Sequence, residues 1–401
     1  MARPLHVLIV GGGVAALEAT LALRALAEDR VDIEVLAPDS EFVYRPMAVA
    51  EPFDQGEARR FPLARLIELA GGRLSSGTLA GLDLDDRRAK AADGAELEWD
   101  VLLIALGARM REGVPGGLTF RGLQDGAALK ELVDDAVAGR FRSLIFALPT
   151  LAAWPLPLYE LALMTKVRLE DMGATAVRVE LVTPETEPLG LFGSQGSASV
   201  KGLLETRGIL LRTDTTPVVF RNGALLVVPG RAIRTDQVVS LPIPEGRLIP
   251  GMPDAGRGFV RTDQYGRVEG REDVYAAGDI TTFPLKQGGI ATQQADAAAA
   301  SIAALAGAPI RPRPFRPVLR GLLLTGLSPR FLSASLLHDT SEVDTEALWW
   351  PPAKIVGRYL APFLAEHVGI STAPPPDTLA GSRLEVDVEL EWDQGHWIPA
   401  R

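Results

Sequence analysis

The chain has 401 residues, 47% of them hydrophobic, enough core for a globular protein of two or three domains. Its 51 carboxylates outnumber its 41 lysines and arginines, so it has no bulk positive surface of the kind that neutralises nucleic-acid phosphates. It has no cysteine, which excludes disulfides, thiolate metal clusters and any redox dithiol.

The first apolar run, His6 to Val10, is short, leads into Gly11-Gly12-Gly13 and has no small-residue cleavage site behind it. It reads as a buried first strand, and the protein as cytoplasmic. Ala15 to Ala27 keeps apolar residues at helical spacing and Val31 to Leu36 is strand-like again, which makes a βαβ unit and implies a parallel sheet. Leu79–Leu84, Arg87–Ala91 and Glu96–Trp99, separated by turn signals, predict a small antiparallel meander leading into the strand Val101–Ala105.

The same order then recurs. Ser143–Leu148 is a strand, Leu158–Met172 a helix, Val177–Val182 a second strand, and a helix follows near Ser197–Arg207. Asn222-Gly223 marks a hairpin between Pro217–Phe220 and Ala224–Val228. IEVLAPDSE in the first half matches VELVTPETE in the second, so two related dinucleotide-fold halves are expected in tandem. The apolar window Leu144–Met164 reaches membrane-spanning length, but three prolines and Glu160 interrupt it. Val274–Asp279 is a late strand, Ile290–Leu305 a helix, and Ile310–Pro317 a proline-rich linker.

Gly11, Gly13 and Ala16 fit the G-x-G-x-x-G/A fingerprint, with Val14 at the helix start. The glycines let backbone approach a pyrophosphate, and free N–H groups at the helix start stabilise its charge. Ala37 holds the position of the usual ribose acid, which leaves Asp39 as the candidate, either as that acid or as a surface turn residue after Pro38.

Together, Gly11-x-Gly13, LIALG ending at Gly107, and AAGD with Gly278 and Asp279 resemble the three ordered motifs of FAD-dependent pyridine nucleotide-disulfide-type oxidoreductases. FVYRPMAVAEPF and PLKQGGIATQQA are most similar to the sulfide:quinone oxidoreductase and type II NADH dehydrogenase branch. The resemblance implies an α/β protein of two tandem Rossmann-like domains, in the three-layer ββα form, binding extended FAD with Asp279 near its ribityl and phosphate region. It divides the chain into an FAD domain at residues 1–112 and 256–314, a degenerate NAD-like domain at 113–255, and a flavin-covering extension at 315–401. Lys286, in the glycine-rich loop before Gly289 and Ile290, reads either as a flavin-tuning cation or as a solvated loop lysine. Arg45 either reaches the flavin or its phosphates or is structural.

In the second half, Leu148-Pro149-Thr150 and Trp154-Pro155-Leu156-Pro157 stand where glycines would hold a nicotinamide dinucleotide. Proline donates no N–H and the indole occupies space, while Pro157 suits a first helical turn, so the fold persists without the anion site. Glu185, the counterpart of Asp39, is expected in a capping or surface role. The histidines, His6, His338, His367 and His396, lack the spacing of a metal pair, so no metal is expected.

The reading that follows is a flavin oxidoreductase with an unidentified small-molecule donor and a quinone acceptor, working without a cysteine persulfide. An NAD(P)H-dependent reductase with an atypical nicotinamide site and a non-catalytic flavin scaffold are the alternatives. Ile355, Val356, Tyr359, Leu360, Phe363 and Leu364 fall on one helical face, expected either to pack internally or in a homodimer, or to touch the inner face of a membrane peripherally.

Overall fold

The computed structural model describes residues 3–253, 255–334, 341–368, 390–393 and 396–399. Its α-helices are α1 (Val14–Ala27), α2 (Leu63–Leu69), α3 (Leu123–Val137), α4 (Leu156–Asp171), α5 (Gly193–Thr206), α6 (Gly288–Leu305) and α7 (Leu360–His367). Strand β1 (Leu5–Val10) lies at the centre of a five-stranded sheet. It pairs in parallel with β2 (Val31–Ala37), from Leu5↔Val31 to Val10↔Leu36, and on its other side with Val101–Ile104. Arg73–Ser76 extends the sheet beyond β2, and Val274–Ala276 closes the opposite edge.

Strands covered on both faces should be apolar throughout, and Val7–Val10 and Val101–Ile104 are buried without exception. Alternation along β1 separates the layers. Val7 and Ile9 face α1 and α6, while Leu8 and Val10 face the antiparallel meander Leu79–Asp83, Arg88–Ala91, Glu96–Glu98.

The second sheet repeats this order. Ser143–Ala147 is central, between Arg178–Val182 and Gln237–Ser240, with Leu210–Arg212 and Leu118–Thr119 outside, all parallel. A separate antiparallel sheet of this half carries the hairpin, which turns at Asn222 and Gly223, both with positive φ (52° and 67°), the geometry that makes Asn-Gly the favoured hairpin pair. The tandem Rossmann-like reading is therefore what the backbone forms. The apolar window belongs to this domain's core: Leu158, Tyr159, Leu161 and Ala162 of α4 are fully buried. Among the described residues no helix is long and apolar enough to cross a membrane.

Beyond α6, Leu319–Leu323, Arg330–Ala334 and Ser341–Asp344 form an antiparallel sheet that joins the core of the second half through Leu319, Leu323 and Leu332. The chain then runs back as a strap, Trp349–Gly357, toward the first half. The expected helical face is corrected here, because the helix begins only at Leu360 and leaves Ile355 and Val356 outside it. Pro351-Pro352 lack the N–H groups a helix needs, and Gly357 abuts the Glu18 carboxylate so closely that a Cβ there would lie 2.5 Å from Oε2. Leu360 and Leu364 of α7 pack into the α1–α6 core, with Tyr359 and Phe363 beside them. His338 lies outside the described residues.

Candidate functional site

Three adjacent strands of the first sheet deliver glycine turns to one corner, at their carboxyl ends, where open α/β sheets bind ligands. Gly11 follows β1, donating to Leu36 O at 2.9 Å; Ala105 donates to Val10 O at 2.8 Å and leads to Gly107; Ala277 donates to Ile104 O at 3.0 Å and leads to Gly278 and Asp279. Gly11 has φ +128°, and a Cβ there would run into the Ala105 carbonyl, so only glycine fits. Gly13 differs: a Cβ would meet nothing within 4 Å, and the residue is exposed at the start of α1. No side chain caps α1 and no acid stands in its first turn, so its leading N–H groups face outward with positive partial charge. Val14 is half-buried behind them, and Ala16 is fully buried where the helix meets the sheet.

Gly278 sits against this helix, its Cβ position 3.3 Å from Ala15 Cβ, and its N–H donates to Gln294 Oε1 at 2.7 Å. Gln294 is a positioning residue that the sequence did not single out. Among the described residues no hydrogen bond reaches the Asp279 carboxylate; burial pushes its pKa up, and Lys286 and Arg45 hold it back. Arg45 and Asp39 are exposed at the same corner, Asp39 two residues past the end of β2.

Lys286 is turned into its own loop. Its Nζ donates to Thr281 O at 2.6 Å and Phe283 O at 2.7 Å and lies 4.2 Å from the centre of the Phe259 ring. Burial lowers its pKa to about 8, opposed by the charge of Asp279. At the start of α6, the Ile290 N–H donates to Gln287 Oε1 at 2.9 Å, while Gly289 sits beside the same Gln287 side chain. The strap closes over this helix start, with Ile355 against Gly288.

Buried carboxylates hold the strap. Lys354 Nζ bridges both oxygens of Glu160 at 2.6 and 2.7 Å, Ile355 N donates to Tyr44 Oη at 2.9 Å, and Glu18 accepts from Tyr359 N and Leu360 N at 2.8 and 2.7 Å. Glu18 thus caps α7 from within α1.

The equivalent corner of the second half is filled. Leu148, Pro149, Ala153 and Pro155 are buried, Trp154 stacks edge-on against Phe192 at 5.8 Å, and α4 starts at Leu156 with Pro157 in its first turn. Glu185 is not a surface acid: it is 8% exposed and accepts from Tyr159 Oη at 2.6 Å and Thr183 Oγ1 at 2.8 Å. Burial raises its pKa, against those hydrogen bonds. The acid that would meet a nucleotide ribose is therefore bonded to the chain's own tyrosine.

No family model matches the sequence. The chain is 26% identical over 207 residues to a sulfide-quinone reductase of Aquifex aeolicus (strain VF5), a stretch that is 50% of this chain and 47% of that protein. It is 28% identical over 306 residues to the ferredoxin–NAD(+) reductase component of a biphenyl dioxygenase system from Paraburkholderia xenovorans (strain LB400), 70% of this chain and 68% of that one. The crystal structure of the sulfide:quinone oxidoreductase from Aquifex aeolicus superposes with a TM-score of 0.74 at 17% identity, covering 85% of this chain and 87% of that one. The fold is that of two tandem Rossmann-like domains, the architecture of these oxidoreductases. The proteins that the chain resembles are FAD-binding oxidoreductases of the pyridine nucleotide-disulfide type.

The first-half corner fits that cofactor. An uncapped helix start with open space at Gly13 suits a diphosphate, and a half-buried carboxylate that accepts no hydrogen bond among the described residues suits a hydroxyl-bearing linker.

Proposed function

We propose that the chain is an FAD-dependent oxidoreductase that passes electrons to a quinone and does not take them from a nicotinamide dinucleotide bound in its second half. The observation that carries this reading is the Tyr159–Glu185 bond behind the proline and tryptophan plug. A nucleotide would have to displace a fully buried tyrosine and the plug before meeting a carboxylate. The Aquifex relative, named for quinone reduction, supports the acceptor, and the absence of cysteine rules out a persulfide held on the protein.

In this reading Gly11, Gly13, Val14 and Ala16 present the α1 N-terminus to the diphosphate, and Asp279 accepts from the linker hydroxyls, with Gly278 held by Gln294. Gly107 keeps the middle loop free of a side chain. Lys286, tied to its loop carbonyls, sets the loop that precedes Gly289 and Ile290, while Asp39 and Arg45 stand at the rim. The strap covers the start of α6, with Ile355 against Gly288 and Val356 O accepting from Thr292 Oγ1. Bound FAD supplies a two-electron carrier that can meet a donor and a quinone in turn.

Anaerobic titration of the purified yellow protein with a quinol tests this, the expected result being bleaching of the flavin and its reoxidation by quinone. Protein without flavin, or flavin unresponsive to quinol and quinone, overturns it. The second relative, named as a ferredoxin–NAD(+) reductase, favours an NAD(P)H-dependent reductase instead. Rapid bleaching by NADH in a stopped-flow trace is the outcome that selects it.

A further inference from the structure

We propose that Arg247 binds the adenosine diphosphate half of FAD, closing with Arg45 and Arg109 around its phosphate charge; the proposal rests on the FAD reading of the first-half corner. Arg109 opens the strand Arg109–Arg111, which pairs antiparallel with Ile243–Glu245 and sets Arg109 opposite Glu245. Arg247 follows two residues later. Its place is fixed by a tight backbone crossing, because a Cβ on Gly246 would run into Gly258 and one on Gly258 would lie 2.9 Å from Arg247 backbone atoms.

The neighbourhood is an unbalanced cluster of charge. Among the described residues Arg247 Nε is buried with no hydrogen-bond partner, and burial together with the charges of Arg109 and Arg45 holds the Arg247 pKa below its ordinary value, with Asp39 opposing them. Among the described residues Arg45, Arg109, Arg247 and Asp39 have neither an ion-pair nor a hydrogen-bond partner for their side chains. The contrast with the next arginine along the strand is direct: Arg111 is paired with Glu245 at 2.6 Å. Three guanidinium groups facing one carboxylate leave positive charge in excess, and the partial burial of Arg247 adds to its cost, so the arrangement favours an anion.

The cluster adjoins the cofactor corner. Arg45 acts on Asp279 as well as on Arg247, Asp279 follows Gly278, and Gly278 rests on Ala15 in the first turn of α1. Asp39 follows β2, the strand end where an acid meets the adenine ribose in this fold. The phosphates are the anionic part of FAD, and the riboflavin portion carries no charge of that kind. Arg247 therefore serves the adenosine diphosphate end.

The test uses apoprotein with FAD, ADP and riboflavin as probes, read by quenching of flavin fluorescence and by calorimetry for ADP. Losing one charge-assisted contact to phosphate, Arg247→Gln should weaken FAD and ADP by about tenfold and leave riboflavin unchanged. Arg247→Lys, which keeps the charge but not the fork, should recover part of the loss and carries the test if the Gln variant does not fold. Unchanged FAD and ADP affinities in a folded variant overturn the role of Arg247 while leaving the FAD reading intact. Riboflavin weakened as much as FAD overturns the assignment to the diphosphate end. Wild-type protein that binds none of the three probes overturns both.

Discussion

Removing Lys354 would isolate a charge in the interior. Glu160 is fully buried in α4, and the described hydrogen bonds to its carboxylate are the bridge from Lys354 at 2.6 and 2.7 Å and the Leu324 N–H at 2.9 Å. Burial already pushes the Glu160 pKa up, and the Lys354 charge is the largest effect opposing it. Breaking one side of such a buried pair costs about 3–5 kcal/mol, whereas replacing both partners with apolar residues of similar volume is often neutral. Lys354→Met should therefore lower the melting temperature by several degrees, and Glu160→Leu with Lys354→Met should restore most of it. The loss has a sign in pH. A carboxyl whose folded pKa lies above its ordinary value of 4.5 favours the folded state below that value and loses that contribution as pH rises toward the folded pKa. Without the lysine the folded pKa moves higher still, so the deficit should be small near pH 4.5 and large at pH 8. Thermal unfolding of the four proteins of the double-mutant cycle across that range measures it. A coupling energy below about 1 kcal/mol, or a deficit that shrinks with rising pH, refutes the reasoning.

At the other end of the strap, burial and the Glu18 charge push the Asp296 pKa up to about 9, with Arg358 opposing them. Among the described residues Asp296 Oδ1 has no hydrogen-bond partner, and Tyr359 stands beside the pair. This contribution to stability is present below the ordinary value of 3.8 and lost as pH rises toward 9, so Asp296→Asn should flatten the alkaline fall in melting temperature; an unchanged pH profile counts against it. Gly13→Ala should cost the apoprotein no more than about 1 kcal/mol, since its Cβ meets nothing within 4 Å and only the N-cap of α1 changes, yet weaken FAD binding by about tenfold or more in a fluorescence titration. Gly321→Ala places a Cβ 2.5 Å from Phe192 Cζ, and chemical denaturation should show a loss of about 1–3 kcal/mol, the usual range for overpacking. Tyr159→Phe leaves Glu185 short of a donor and should cost about 1–3 kcal/mol in the same assay without creating NADH binding by calorimetry.

Local physics made much of the fold legible in advance. Hydrophobic period, glycine turns and Asn222-Gly223 each act within a few residues, and they located β1, α1, β2, the meander and the matching order of the second half. The plug was legible for the same reason, since a proline lacks its N–H wherever it sits. What fills the space behind the plug was not: Tyr159 and Glu185 are 26 residues apart and meet only once α4 is laid on its sheet. The strap was harder still, as Lys354 finds Glu160 across 194 residues and Tyr359 finds Glu18 across 341. Helical spacing from Ile355 to Leu364 suggested one continuous face, but spacing carries no information about the prolines' neighbours or about a glycine pressed onto a buried carboxylate. Arg247 gave no local signal because its context is the company of Arg45 and Arg109, which topology alone brings together.

The edge strand Val274–Ala276 completes the first sheet only after the entire second sheet has been traced. During synthesis the glycine loop after β1 therefore emerges long before Gly278 and α6, and the second half is free to fold while the first remains open along one edge. Truncating the chain before Val274 would remove Gly278, Asp279 and the helix that packs on α1, although every residue of the fingerprint would still be present. In the proposed FAD reading, uptake of the cofactor is thus a late event on the ribosome, a chemical report that the inserted half has been translated and the two ends of the first have met.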